Sequence, residues 1–363
     1  MTVTVDNRGK ALRLALAAKF ADDGALHDKR WRQAVEEVPR HLFVPAYWRL
    51  GPDGQPQRVE RDDPDWMVGA YEDAALTVQM TDGVATSSST APSLMLRMLE
   101  ALHVDDDALV LEIGTGTGYN TALLCHRLSS QQVVTVEVDA QLAGAAEARL
   151  NMLGWRPAVR VGDGALGAVG TRRFDALIAT CAMPDIPAAW LTQTRPGAVL
   201  VVPVGSGVVR LVRYEDGTAG GRFEAYPAFF MAARDAGSSG SVPYPGEPDA
   251  TQDRPTSLDP HDAADDHFAF ACSLVLPHTA WGRTFGPDGQ VASVRLWDGE
   301  GSWADVADGT VRQAGPARLW DRVEELWDNV TDDEGTPPAR YRYGMTVTSD
   351  GSTVWLDNPG GTL

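Results

Sequence analysis

Cysteine is scarce in this chain: three among 363 residues, Cys125, Cys181 and Cys272, far apart. That excludes a disulfide framework and thiolate zinc spacing, and it fits a reducing cytoplasm in which each thiol is a small buried apolar residue. No apolar run approaches the roughly eighteen residues of a membrane span. No secretory signal is read at the N-terminus, since Lys10–Phe20 is short, is followed by charge and lacks a cleavage site. Basic residues are outnumbered, 31 Lys and Arg against 50 Asp and Glu, for a net charge of −19. A broad phosphate-binding surface, and nucleic acid as a partner with it, is thereby disfavoured, though a local basic patch is not. His27, His41, His103, His126, His261, His267 and His278 show no metal-ligand spacing, so no metal is expected. There is no internal repeat.

What is present is a 44 % hydrophobic chain with room for about two domains and an ample core. It is organised around Leu109–Asn120, Leu-Val-Leu-Glu-Ile-Gly-Thr-Gly-Thr-Gly-Tyr-Asn. The apolar run reads as a strand buried on both faces. Three glycines at alternate positions allow a tight turn and close approach of a ligand. Thr121–Leu128 then has helical spacing. Strand, Gly-rich turn, helix is the nucleotide-cradling unit of doubly wound α/β folds.

Upstream, Arg8–Phe20 and Asp28–Glu37 read as helices, the second capped by Asp28. Val38–Pro45 is an ordered connection between prolines, Gly51–Asp65 a polar loop with three prolines, and Asp73–Val78 a short strand. Thr81–Pro92 carries five consecutive hydroxyl residues, Thr86–Thr90, before a helix at Ser93–Leu102. One reading is a polar loop ending in a helix cap. The other is a set of hydroxyl and amide donors suited to an anionic carboxylate.

Downstream, strands are expected at Val133–Val138, Val159–Val161, Phe174–Thr180 and Gly197–Pro203. Helices are expected at Gln141–Leu153, with Gly154 as its cap, and at Pro184–Thr194. Val208–Tyr214 and Arg222–Tyr226 read as an antiparallel pair. Composition shifts near Ala236, and Gly237–Pro260 reads as a linker. Beyond it, Phe268–Leu276, Val291–Trp297, Tyr343–Val347 and Thr353–Leu356 look like strands and Pro316–Asn329 like an amphipathic helix. Six of the eleven tryptophans lie after residue 240, more simply as core than as a ligand cage. The expected organisation is an N-terminal helical cap region at 1–80, an α/β core at 81–236, and a linker with a smaller C-terminal α+β domain at 237–363.

The acids narrow the ligand. A dinucleotide site uses Gly-x-Gly-x-x-Gly, whereas these glycines are Gly114, Gly116 and Gly118, and Glu112 directly precedes them. An acid there would repel a pyrophosphate but suits a cation or amine. S-adenosyl-L-methionine has a sulfonium, an amino group and no phosphate. Glu137, ending the second strand, is placed to take ribose hydroxyls, and Asp163-Gly164, ending the third, to hold the adenine amino group. Each acid singly could be an ordinary loop carboxylate; the set at successive strand ends is more specific.

The chain resembles the protein-L-isoaspartate O-methyltransferase family. The residues that carry this are Val38-Pro-Arg-His-Leu-Phe-Val-Pro45, Tyr71-Glu-Asp73, Thr90-Ala-Pro92, Val110–Tyr119, Val136-Glu137, Gly162-Asp-Gly164, Phe174-Asp175, Pro196-Gly197 and Pro203-Val-Gly205, in the family's order over roughly 28–230. The resemblance implies a Rossmann-like class I S-adenosylmethionine-dependent methyltransferase fold, with Glu112, Gly114, Gly116, Glu137, Asp163 and Gly164 on the cofactor. It places the hydroxyl of the Thr90-Ala-Pro92 loop against both cofactor and substrate carboxylate. His41, inside one motif, is read as a packing and hydrogen-bonding residue.

Departures from the pattern point further. The repair enzymes carry Thr-Ile-Ser-Ala-Pro-His where this chain has Ser88-Ser-Thr-Ala-Pro-Ser93, and Leu-x-Ile-Gly-x-Gly where it has Thr77-Val-Gln-Met80. The Ser-rich loop and long C-terminal region are similar to methyltransferases of ribosomally made peptide (RiPP) pathways, lanthipeptide and graspetide. There the resemblance implies an aspartate in a precursor peptide, modified first by another enzyme, as substrate. A general isoaspartyl repair enzyme and a binding module without turnover are the alternatives. A carboxylate with pKa near 4 needs no general base, so Ser88, Ser89 and Thr90 are expected to orient it in a water-poor site. The products are S-adenosyl-L-homocysteine and a methyl ester, which a neighbouring amide nitrogen closes to an aspartimide (succinimide) that is kept or hydrolysed to isoaspartate.

Overall fold

In a computed structural model the described residues are 7–51, 53–170, 173–234, 242, 246, 252–361 and 363. The Leu109–Asn120 run forms the centre of a nine-stranded sheet. Val110–Ile113 lies between Val133–Glu137 and Phe174–Ala179, parallel to both. Ala158–Val161 extends the parallel run on one side and Thr194–Val204 on the other. Chain direction thus turns outward from Val110–Ile113 both ways, a topological switch whose crevice lies at the carboxyl ends of the strands. Every residue of Val110–Ile113 and Val133–Glu137 is buried, as the two-sided apolar reading requires.

From Thr194–Val204 the sheet continues antiparallel through Gly207–Arg213 and Ala219–Phe223. It then takes in Tyr343–Thr348 and Gly351–Leu356 from the far end of the chain. This corrects the expectation of a separate domain at 237–363, because its last hairpin belongs to the central sheet. The rest of that region is a second, five-stranded antiparallel sheet: Gln252–Pro255, Thr310–Ala314, Trp303–Ala307, Val291–Trp297 and Ala280–Phe285, in that order. Leu319–Val330 packs on it through Leu319, Trp320, Val323 and Leu326, in one continuous core with the central sheet. Most of the linker expected at 237–260 lies outside the described residues, and its described end contains the strand Gln252–Pro255 and a turn of helix at Pro260–Ala263.

The strand expected at Phe268–Leu276 is instead the helix Asp266–Val275. A short apolar run does not distinguish the two by period. The deciding signal is Asp265, whose carboxylate accepts the His267 and Phe268 N–H groups as an N-cap. Asp28 caps Lys29–Glu37 in the same way, through the Arg30 N–H.

The N-terminal region is not purely helical. Helices Asn7–Asp22 and Lys29–Glu37 pack on the core, but Pro56–Glu60, Ala46–Leu50, Leu76–Thr81 and Val84–Ser89 form a four-stranded sheet in that order. The 80/81 boundary therefore cuts a hairpin, and Gly51–Asp65 contains a strand. The hydroxyl stretch is a strand too, not a loop. Helix Pro92–Ala101 follows with no side-chain cap from Ala91, Pro92 occupying its first turn where no N–H is needed. The Ser93 N–H instead donates to Asp73 Oδ1 at 3.0 Å. Among the described residues no helix is long and apolar enough to cross a membrane.

The C-terminal hairpin closes on Gly344, where a Cβ would fall 2.1 Å from the Trp355 ring. Gly344→Ala is expected to lower stability by about 1–3 kcal/mol through overpacking, read as a shift of the urea midpoint at unchanged slope.

Candidate active site

A cleft of about 1100 Å³ opens at the carboxyl ends of the parallel strands. One wall is the Gly-rich turn, and the opposite wall is the strand Val84–Ser89 with Thr90. The third side is Phe229–Arg234, a strap held by Ala182 N–H to Met231 C=O and Ala233 N–H to Ala182 C=O. Gly114, Gly116, Glu137, Asp163, Gly164, Ser88, Ser89 and Thr90 all line the cleft.

Glu112 and Gly118 do not line it. Glu112 is wholly buried beneath the turn, accepting from Asn120 Nδ2 at 2.8 Å and Thr121 Oγ1 at 2.5 Å. It ties the helix start to the strand rather than facing a ligand. Burial pushes its carboxyl up to about 7, against the lowering effect of hydrogen bonds from Thr121, Thr135 and Asn120. Gly118 begins helix Tyr119–Arg127 with φ 87°, and a Cβ there would sit 3.1 Å from Ala146 Cβ. It sets the packing of that helix on Ala140–Met152. Alternate spacing of acid and glycines did not reveal that the first acid and last glycine point away from the crevice.

Glu137 is 6 % exposed; its Oε2 accepts the Gly116 N–H at 2.8 Å and its Oε1 the Asp139 N–H at 3.1 Å. Asp163 accepts from the Ala165 N–H. Asn120, also in the lining, has a buried Oδ1 with no hydrogen-bond partner among the described residues. A buried amide oxygen left open, two carboxylates and glycine backbone, with Arg234 as the one cation in the described lining, fit a ligand with hydroxyls, amines and positive charge better than a pyrophosphate. Cys181 lines the cleft as well, but burial pushes its thiol up to about 12, which leaves it inert as a nucleophile.

Behind the hydroxyl wall stands Arg40, which the composition did not single out. It lies on a helical turn, Arg40–Phe43, inside the Pro-bounded connection and is fully buried. Its guanidinium donates to the carbonyls of Ala70 (2.6 Å), Glu72 (3.1 Å), Ala74 (3.4 Å) and Thr90 (3.2 Å) and to Ser89 Oγ (3.4 Å). No ion pair to it is present among the described residues. Burial lowers its pKa from the ordinary arginine value. His41 is next to it but turned away, with Nδ1 2.7 Å from the Tyr71 hydroxyl. The signal for Arg40 was its place between Pro39 and His41 in a rigid connection.

Fold and cleft together define a class I methyltransferase fold. The family model described as protein-L-isoaspartate(D-aspartate) O-methyltransferase (PCMT) matches residues 12–224. A protein-L-isoaspartate O-methyltransferase of Xanthobacter autotrophicus is 38 % identical over 185 residues, covering 50 % of this chain and 73 % of that protein. One of Methanosarcina mazei is 32 % identical over 200 residues, 54 % and 73 % of the two chains. A solved structure titled protein-L-isoaspartate O-methyltransferase shares the fold at TM-score 0.56 and 20 % identity, over 95 % of this chain and all of that one. The chain belongs to the protein-L-isoaspartate(D-aspartate) O-methyltransferase family. It is an S-adenosylmethionine-dependent carboxyl methyltransferase. The shared fold over 95 % of the chain takes in the region after 236, which is therefore not an addition peculiar to this protein.

The buried acid yields a pH test. Because Glu112 titrates higher folded than unfolded, its contribution to stability is full below about 4.5 and is lost as pH rises through about 7. Glu112→Gln is expected to remove that dependence, up to about 3 kcal/mol across the window, in urea midpoints measured from acid to neutral pH.

Proposed function

We propose that this enzyme methylates the side-chain carboxylate of an aspartate in a ribosomally made, already cyclised peptide. The observation that carries this reading is the acceptor wall: Thr86–Thr90 present hydroxyls and no imidazole or carboxylate, with Ser89 tied to the buried Arg40. Where the repair pattern places isoleucine, this chain has Ser89 in the wall, which is smaller and more polar there; Ser93, in place of the histidine, lies outside the lining.

S-adenosylmethionine supplies an electrophilic methyl group. In our reading Gly114, Gly116, Glu137, Asp163 and Gly164 hold it, with Asn120 Oδ1 as a further acceptor for its donors. Ser88, Ser89 and Thr90 orient the acceptor carboxylate, and Arg40 fixes the last two by gripping Ser89 Oγ and the Thr90 carbonyl. The acceptor is already ionised at neutral pH, so positioning and exclusion of water supply the rate. The methyl ester then has a leaving group that the next backbone nitrogen displaces, releasing methanol and closing an aspartimide. The second reading, general isoaspartyl repair, is favoured by the names of the relatives, all protein-L-isoaspartate O-methyltransferases.

Labelled S-adenosylmethionine with an isoaspartyl peptide, a linear aspartyl precursor and its cyclised form separates these readings. We expect label on the cyclised form, then loss of methanol by mass spectrometry; label on the isoaspartyl peptide alone selects repair. Cofactor binding without transfer to any of the three would select a binding module. Glu137→Gln is expected to weaken S-adenosylhomocysteine binding by roughly tenfold or more by calorimetry.

A further inference from the structure

The hairpin that carries the acceptor wall also reaches across to the cofactor side of the cleft. Leu76–Thr81 pairs with Val84–Ser89, but the register slips twice: Thr77 faces Ser88, Gln79 faces Ser87, and Met80 faces Ala85. Val78 and Thr86 are each left over as bulge residues, and bulges re-aim side chains. Thr86, 4 % exposed and lining the cleft, donates its Oγ1 to Gln79 Oε1 at 2.9 Å. Gln79 Nε2 donates to Asp139 Oδ2 at 2.9 Å. The amide orientation is fixed, because an ionised carboxylate only accepts.

Asp139 is a rigid anchor. Its Oδ1 caps helix Ala140–Met152 by accepting from the Gln141 and Leu142 N–H groups, and its own N–H donates to Glu137 Oε1. Burial would raise its carboxyl, but the bonds from Gln79 and the two helix N–H groups outweigh it and leave the pKa lowered. Glu137 Oε2 in turn holds the Gly116 N–H. An unbroken chain therefore runs Thr86, Gln79, Asp139, Glu137, Gly116, from the acceptor wall to the Gly-rich turn. Gln79 sits in the Thr77–Met80 stretch where this sequence leaves its family's pattern.

We propose that Gln79 is a positioning residue that couples cofactor binding to the acceptor wall. A ligand on Glu137 shares that carboxylate with Asp139 and Gly116, and the restraint passes through Asp139 and Gln79 to the hairpin. Leu76–Thr81 is bonded on its other edge to Ala46–Leu50, and that strand to Pro56–Glu60, so the whole four-stranded sheet follows. The proposal rests on S-adenosylmethionine occupying this cleft and not on which carboxylate is methylated.

The test is amide hydrogen exchange of the full chain with and without S-adenosylhomocysteine, binding being followed by calorimetry. Ala46–Leu50 and Pro56–Glu60 contribute nothing to the cleft, so slower exchange there cannot come from direct contact. In the wild type we expect the ligand to slow exchange in these strands by roughly fivefold or more, the lower range of ordinary coupling. Gln79→Glu sets two carboxylates face to face and should confine protection to the cleft lining. The swap Gln79→Glu with Asp139→Asn re-forms the 79–139 bond with its polarity reversed while Thr86 still donates to residue 79; asparagine caps helices as well as aspartate, so the swap should restore the spread. Wild-type binding without protection of the outer strands overturns the coupling, as does full spread in Gln79→Glu. Failure of the swap at unchanged ligand affinity and melting temperature also overturns it. Absence of binding to the wild type overturns the cofactor reading itself and the coupling with it.

Discussion

The hydroxyl wall of the cleft depends on one buried cation. Arg40 gathers three carbonyls from the turn at 70–74 and joins them to the end of the hydroxyl strand at Ser89 and Thr90. Desolvating a guanidinium is costly unless its donors are used, and here carbonyl dipoles and a hydroxyl take Nη1 and Nη2 in place of a carboxylate, while Nε has no partner among the described residues. That choice matters chemically. Neutral partners leave the charge of Arg40 unpaired by any ion pair among the described residues, and in our reading that charge lies behind the wall that orients the acceptor carboxylate. Breaking the arrangement would strand both the donors and the segments they connect, so the wall is built around Arg40 rather than decorated by it.

The opposite wall follows from backbone topology. Strand order, not strand direction, reverses around Val110–Ile113, and glycines at the switch let main-chain atoms approach a ligand. Glu137 and Asp163 arrive at the same edge because their strands end there. Glu112 performs a different task below the surface, holding the helix start through Asn120 and Thr121. One wall of the cleft is thus defined by backbone and the other by side-chain hydroxyls, the halves that our reading gives to cofactor and acceptor.

Much of the α/β core was legible because its signals are local: apolar strands of even burial, a Gly-rich turn, and the cap at Asp28. The acids at strand ends were legible for the same reason. What was not legible depended on partners distant in sequence. The Tyr343–Leu356 hairpin reads as strands, but nothing local says that it pairs with Ala219–Phe223. Thr86–Thr90 is polar enough to read as a loop, and only pairing with Leu76–Thr81 makes it a strand. Glu112 and Glu137 are both acids of buried strands. Which of them meets the cleft is set by the alternation of side chains along each strand, and one-residue differences in where a strand ends reverse it.

The late closure of the central sheet has a consequence for synthesis. Ala219–Phe223 is the strand at which the family's common region ends, and its second neighbour, Tyr343–Thr348, leaves the ribosome 120 residues later, from 223 to 343. At about 5–20 residues per second the nascent chain carries that open edge for roughly 6–24 s. Gly220 and Gly221 lie in this strand, and a Cβ on Gly221 would strike the Arg210 carbonyl. A glycine pair has low strand propensity, so the waiting edge is a poor template for another molecule until its own hairpin arrives.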